Sequence, residues 1–188
     1  MKIEKLNKNN IFKICFISFF VISIIGTLLH FTYEFSNNYI YVGLFSPINE
    51  SVWEHLKLGV FAILFFMIYD HIKLYKNDNY IIAKFCSMIT YMISVLVLYY
   101  TYINIFKTNI LFIDISIFYI SVLLSCIVSY YILNYKSFKL NIKLHSKYLL
   151  ISLIVIFILF TFYPPKTNLF IDKNTLKYGI GDSYENKF

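Results

Sequence analysis

The sequence predicts an all-α fold, a polytopic transmembrane helical bundle of about five spans with a structured outer loop between spans 1 and 2. Three observations predict it. Of the 188 residues, 59% are hydrophobic and only 14% are charged, whereas a soluble domain carries about 25% charged residues and could not hide this much apolar surface in one core. Mean hydropathy is +0.66. The apolar residues also gather into five runs near the roughly 20 residues that a helix needs to cross about 30 Å of hydrocarbon. With so little charge, 3 Cys and 5 Gly, intrinsic disorder, a disulfide scaffold and a collagen-like fibre are all excluded.

The first run covers residues 11–31, with Lys2, Lys5 and Lys8 before it and Lys13 at its start. A cleaved signal peptide is the alternative reading. The apolar part exceeds the roughly 7 to 15 residues of such a segment and no small-residue cleavage site follows, so a retained span is expected. The next four runs cover residues 52–69, 80–106, 110–133 and 148–163. Residues 1–163 thus form a transmembrane domain. The remaining residues, 164–188, form an extracytoplasmic tail or lid that begins with Pro164 and Pro165, which stop the last helix.

Lysines set the expected orientation, because basic loops stay in the cytoplasm. All 17 basic residues are Lys. Ten of them (Lys2, Lys5, Lys8, Lys13, Lys73, Lys76, Lys136, Lys139, Lys143 and Lys147) lie before or at the start of the first run or follow the second and fourth. Lys107, Lys166, Lys173, Lys177 and Lys187 fall on the other side, so the N-terminus is expected inside and the C-terminus outside. A net charge of +7 would suit nucleic acid, but Arg is the usual base reader and these lysines sit in short loops between apolar runs. The expected partner is the lipid bilayer.

Most familiar chemistry is absent. No Walker loop, dinucleotide fingerprint, G-x-S-x-G elbow or H-E-x-x-H occurs. Cys15, Cys86 and Cys126 lack metal-ligand spacing and are expected as packing residues.

The polar residues collect in residues 30–57, which contain no lysine until Lys57. A connection this long is expected to be structured, with residues 39–45 dipping towards the apolar layer where their backbone can be buried. His30 and Glu34 share a helix face at the end of the first run, and Glu50, Glu54 and Lys57 share one at the start of the second. His55 points about 100° away from Glu54. Imidazole with carboxylate suits zinc, manganese or iron, so His30, Glu34, Glu50 and His55 are the candidate metal ligands and Glu54 the candidate general base.

Structural readings compete with each of these. Ser51-Val52-Trp53-Glu54 matches a capping box, in which Glu54 only satisfies free amides; Ser46-Pro47 offers an earlier helix start that would release Glu54. Trp53 reads as an interfacial anchor. Two pairs are expected, Lys57 with Asp114 below the outer boundary and Asp70 with Lys84 at the inner side, near enough to the surface to snorkel. The tail reads either as a lid that contributes Asp172 or as a frayed interfacial segment.

The stretch V-G-L-F-S-P-I-N-E-S-V-W-E-H-L-K, with L-H-F-T-Y-E before it and Y-P-P-K-T-N-L-F-I-D-K and Y-G-I after it, resembles a family of uncharacterised small integral membrane proteins of clostridia and related Firmicutes. The resemblance implies a multi-pass protein of the bacterial cytoplasmic membrane and brings no activity. The leading functional expectation is metal-assisted hydrolysis of a lipid-like or membrane-bound substrate at the extracytoplasmic face. The alternatives are an ion or small-solute binding or transport component, or a structural subunit whose membrane-protein partner covers its aromatic faces.

Overall fold

In the computed structural model, residues 7–180 are described; Lys2, Lys5, Lys187 and the tail beyond 180 lie outside the described residues. The chain is all-helical and has five helices long and apolar enough to span a membrane: α1 (Lys8–Phe35), α2 (Val52–Leu74), α3 (Tyr80–Phe106), α4 (Leu111–Asn134) and α5 (Leu140–Phe162). Among the described residues there is no strand, only an isolated bridge between Ile171 and Tyr178.

Local chemistry sets the helix ends. Asn7 caps α1 by accepting from the Asn9 amide at 3.3 Å. At the other end Asn37 and Asn38 take left-handed backbone angles, with φ of 55° and 60°, which Asn tolerates and which turn the chain out of the helix. Ser51 caps α2 by accepting from the Glu54 amide at 3.3 Å, so the alternative start at Ser46-Pro47 is not used. Only half of the expected capping box forms, because the Ser51 amide donates to Asn49 Oδ1 at 3.0 Å and not to Glu54. α5 begins at Leu140, eight positions before the expected run, so Lys143 and Lys147 lie on its first turns and not in the loop.

α2 is the central helix. In its most apolar stretch 67% of the residues are buried, against 22 to 39% for the other four helices. α1 packs on α2 and α4, and α3 packs on α2, α4 and α5. Close approach at α2 depends on Gly59, where a Cβ would lie 2.3 Å from the Tyr91 ring. The outward faces remain apolar: Phe12, Phe16, Phe20, Ile24 and Leu28 form an exposed stripe along α1 at helical spacing, which suits hydrocarbon and not water.

Two polar pairs serve α2 at opposite ends. Asp70 and Lys84 form the expected ion pair, buried and joined by the Tyr80 hydroxyl, which donates to Asp70 at 2.6 Å. At the other end Lys57 pairs with Glu54 at 2.6 Å and not with Asp114, which instead accepts a hydrogen bond from the Tyr102 hydroxyl. The reason is reach. Glu54 stands one turn from Lys57 on the same helix face, whereas Asp114 projects from α4 towards α3.

The connection between α1 and α2 is ordered. It makes a short 3-10 turn at Val42–Leu44, and the buried Gly43 carbonyl accepts from Lys57 Nζ at 2.8 Å, which satisfies the backbone where it is shielded. Fully buried Ser46 bridges to α1 by donating to the Leu29 carbonyl and accepting from Thr32 Oγ1 at 2.9 Å. Trp53 is an internal anchor and not an interfacial one: it is 7% exposed and stacks on Phe157 at 4.6 Å between ring centroids, with Phe170 of the tail at 4.8 Å. The Trp53 amide also donates to the Leu169 carbonyl at 3.0 Å, so the tail up to residue 180 is docked onto the helices. Cys15 and Cys126 are buried packing residues, and no disulfide forms among the described cysteines.

Candidate functional site

Three side chains from α1, the connection and α2 converge where those elements meet. The donor atoms of His30, Glu50 and His55 all lie within 4.8 Å of one another. His55 Nε2 is 3.4 Å from Glu50 Oε2, and the two imidazole rings are 5.3 Å apart between centroids. A tetrahedral ion with bonds of about 2.1 Å needs donors about 3.4 Å apart. The His55–Glu50 separation already matches that value, and the rest are at most 4.8 Å, so closure needs a shift on the order of 1 Å.

The hydrogen bonds around the group orient it. His55 Nδ1 lies 2.9 Å from the Ser51 carbonyl, which can only accept, so in the neutral ring the proton sits on Nδ1 and the Nε2 lone pair faces Glu50. His30 Nδ1 is buried with no protein hydrogen-bond partner. Both nitrogens are thus compatible with ligation.

The group opens onto a cavity of about 570 Å³ between α1, α2, α3 and α4. Its polar lining includes His30, Glu50, His55, Asp114, Lys173 and Asn174; its apolar lining includes Leu58, Val95, Ile117 and Phe118. This combination of a large apolar volume and a few convergent polar groups is the usual form of a small-molecule site.

The structure divides the candidate residues. It brings together His30, Glu50 and His55, and it leaves Glu34 exposed near the end of α1 and outside the group. Glu54 is not among the convergent donors: its carboxylate is buried, accepts from Lys57 and also accepts from the Ile48 amide at 3.0 Å. Asp172 is likewise occupied within the tail, where its carboxylate accepts from the Asn174 amide at 3.1 Å and from the Thr175 hydroxyl. Sequence reasoning missed Tyr99, Asn109 and Lys173 as lining residues. Asp114 was visible as a charge within an apolar run, but its place on the cavity wall depends on how α4 packs.

No curated protein and no solved structure matches the chain. One family model matches, over residues 1–180, and it describes a family of unknown function, DUF6512.

Proposed function

The chain belongs to the DUF6512 family, whose description assigns no activity, and we propose from its site that it is a metal-assisted hydrolase acting on a lipid-like or membrane-bound substrate. The observation that carries this reading is the convergence of two imidazoles and one carboxylate within 4.8 Å on the wall of a largely apolar cavity. Two His and one carboxylate supply three protein ligands and leave a fourth position open, the arrangement of hydrolytic zinc sites and one that manganese or iron also accepts. Such an ion polarises a carbonyl or phosphoryl oxygen and makes bound water a nucleophile near neutral pH.

The protein's own contribution is positional. Ser51 fixes the His55 ring, and the apolar walls hold a long-chain substrate and keep bulk water from it. With Glu54 engaged by Lys57, the carboxylate that lines the cavity besides Glu50 is Asp114. The lysine distribution supports a cytoplasmic-membrane protein with the site at the extracytoplasmic face. The transport alternative gains no support from the helices, since α1 to α5 run unbroken where transporters use interrupted spans.

The test is elemental analysis of the purified full chain. About one transition metal per chain is expected by the one-site geometry, lost in His30→Ala and in His55→Ala. A metal-free wild-type chain that keeps its fold would remove the reading.

A further inference from the structure

We propose that the ligand of this site is a phosphate-headed lipid that enters sideways from the bilayer between α1 and α4, with Lys173 reading its headgroup. The proposal rests on the metal reading above and adds the substrate class and its route.

The route follows from residues that belong to two surfaces at once. Phe31 on α1 and Ile115 and Tyr119 on α4 line the cavity and are 44%, 47% and 38% exposed. The cavity wall between α1 and α4 is therefore built of residues that the rest of the bundle does not cover. One turn deeper the seam is shut. Thr27 Oγ1 and the Tyr119 hydroxyl lie 3.2 Å apart, and a Cβ on Gly26 would be 2.5 Å from Phe118, so α1 and α4 touch there. An opening bounded below by that contact admits a chain from the apolar layer at the depth of the metal group. An aqueous solute would have no need of it.

The headgroup follows from charge. Lys173 lines the cavity from the docked tail, and its ammonium stands 4.3 Å from the Tyr99 ring centroid. It makes no ion pair among the described residues, so its charge is available to a ligand. Glu50 and Asp114 on the same cavity disfavour an anion until a divalent ion offsets them. A loaded metal group and Lys173 then present two cationic points. A phosphate monoester, with three terminal oxygens, has acceptors for both, and Lys is a regular phosphate ligand.

The experiment uses the full chain in zwitterionic detergent, with metal content measured, and native mass spectrometry to read retained lipid. Phosphatidic acid should be retained at least about tenfold better than diacylglycerol of the same chains, about 1.4 kcal/mol. Lys173→Gln should abolish that preference with metal content unchanged. Ile115→Trp, which fills the seam, should reduce phosphatidic acid retention and leave metal and inorganic phosphate binding as they were.

Several results would overturn the proposal while the metal reading stands: equal retention of the two lipids, equal retention of a fatty acid of the same length, or an unaffected Lys173→Gln. Inorganic phosphate competing as strongly as phosphatidic acid would also overturn it, since the headgroup alone would then suffice. Absence of metal from the wild-type chain would remove both readings together.

Discussion

Lys57 and Glu54 form an ion pair 2.6 Å long inside the protein, with side chains 0% and 3% exposed. The same ammonium donates to the Gly43 carbonyl at 2.8 Å, so one lysine ties the α1–α2 connection to the central helix. The pair also separates two neighbours in sequence. Glu54 turns inward to Lys57 and His55 turns outward to Glu50, because consecutive helical residues point about 100° apart.

Breaking the pair on one side should be costly. Lys57→Met or Glu54→Gln alone leaves a buried charge without compensation, and thermal denaturation in detergent should show a loss of about 3 to 5 kcal/mol. The double variant should recover much of it. Combining Lys57→Met with Asp114→Asn should give additive losses, since those residues do not meet. Recovery in that second combination would show that the pairing described here is wrong.

Lys84→Met should produce a loss of similar size at the far end of α2, where Asp70 would keep only the Tyr80 hydroxyl. Tyr80→Phe should cost less, about 1.5 to 3 kcal/mol for a hydrogen bond to a charged group. Equal losses from the two variants would mean that Asp70 is held chiefly by Tyr80.

The metal group makes a discriminating set of variants. Glu50→Ala should lower metal content as His30→Ala and His55→Ala do, while Glu34→Ala and Glu54→Gln should retain it, because neither carboxylate is among the convergent donors. Acidification should also release the ion, since imidazole binds metals only when unprotonated. Metal lost from Glu34→Ala but kept in Glu50→Ala would move the site one turn along α1.

Orientation is open to a fusion test. A phosphatase reporter that works only outside the cytoplasm should be active when fused after Phe188, and a fluorescent reporter that matures in the cytoplasm should be dark. The opposite pair of results would place the metal group and the docked tail on the cytoplasmic face.

Trp53→Ala should release the tail. The indole stacks on Phe157 and meets Phe170, and removing a buried aromatic of this kind costs about 3 to 5 kcal/mol. Limited proteolysis should then cut within residues 164–180 faster than in the wild type. Unchanged protection would show that the backbone hydrogen bonds at the Leu169 and Thr161 carbonyls hold the tail without the indole.

Much of this architecture is determined by the sequence alone. Hydrocarbon imposes a length of about 20 residues and a nearly continuous apolar composition on each span, so α3 and α4 could be bounded almost to the residue. α5 was placed late because Lys143, His145 and Lys147 interrupt the apolar pattern, although long polar side chains on a first turn can reach the interface. His30, Glu50 and His55 were legible as candidates because imidazoles and carboxylates are costly beside an apolar run and invite an explanation.

Only the tertiary structure decided which of those groups meet. Whether Glu54 served a metal or Lys57 turned on the direction of one helix face relative to the connection that folds back over it, and spacing along the chain carries no such information. The same holds for Asp114, which the packing of α4 against α3 gives to Tyr102, and for Lys173, which reaches the cavity only because Trp53 and its aromatic neighbours dock the tail. Apolar burial is a sum over many residues and can be read from composition. An ion pair or a ligand set depends on a few ångströms between particular atoms, and packing fixes those distances.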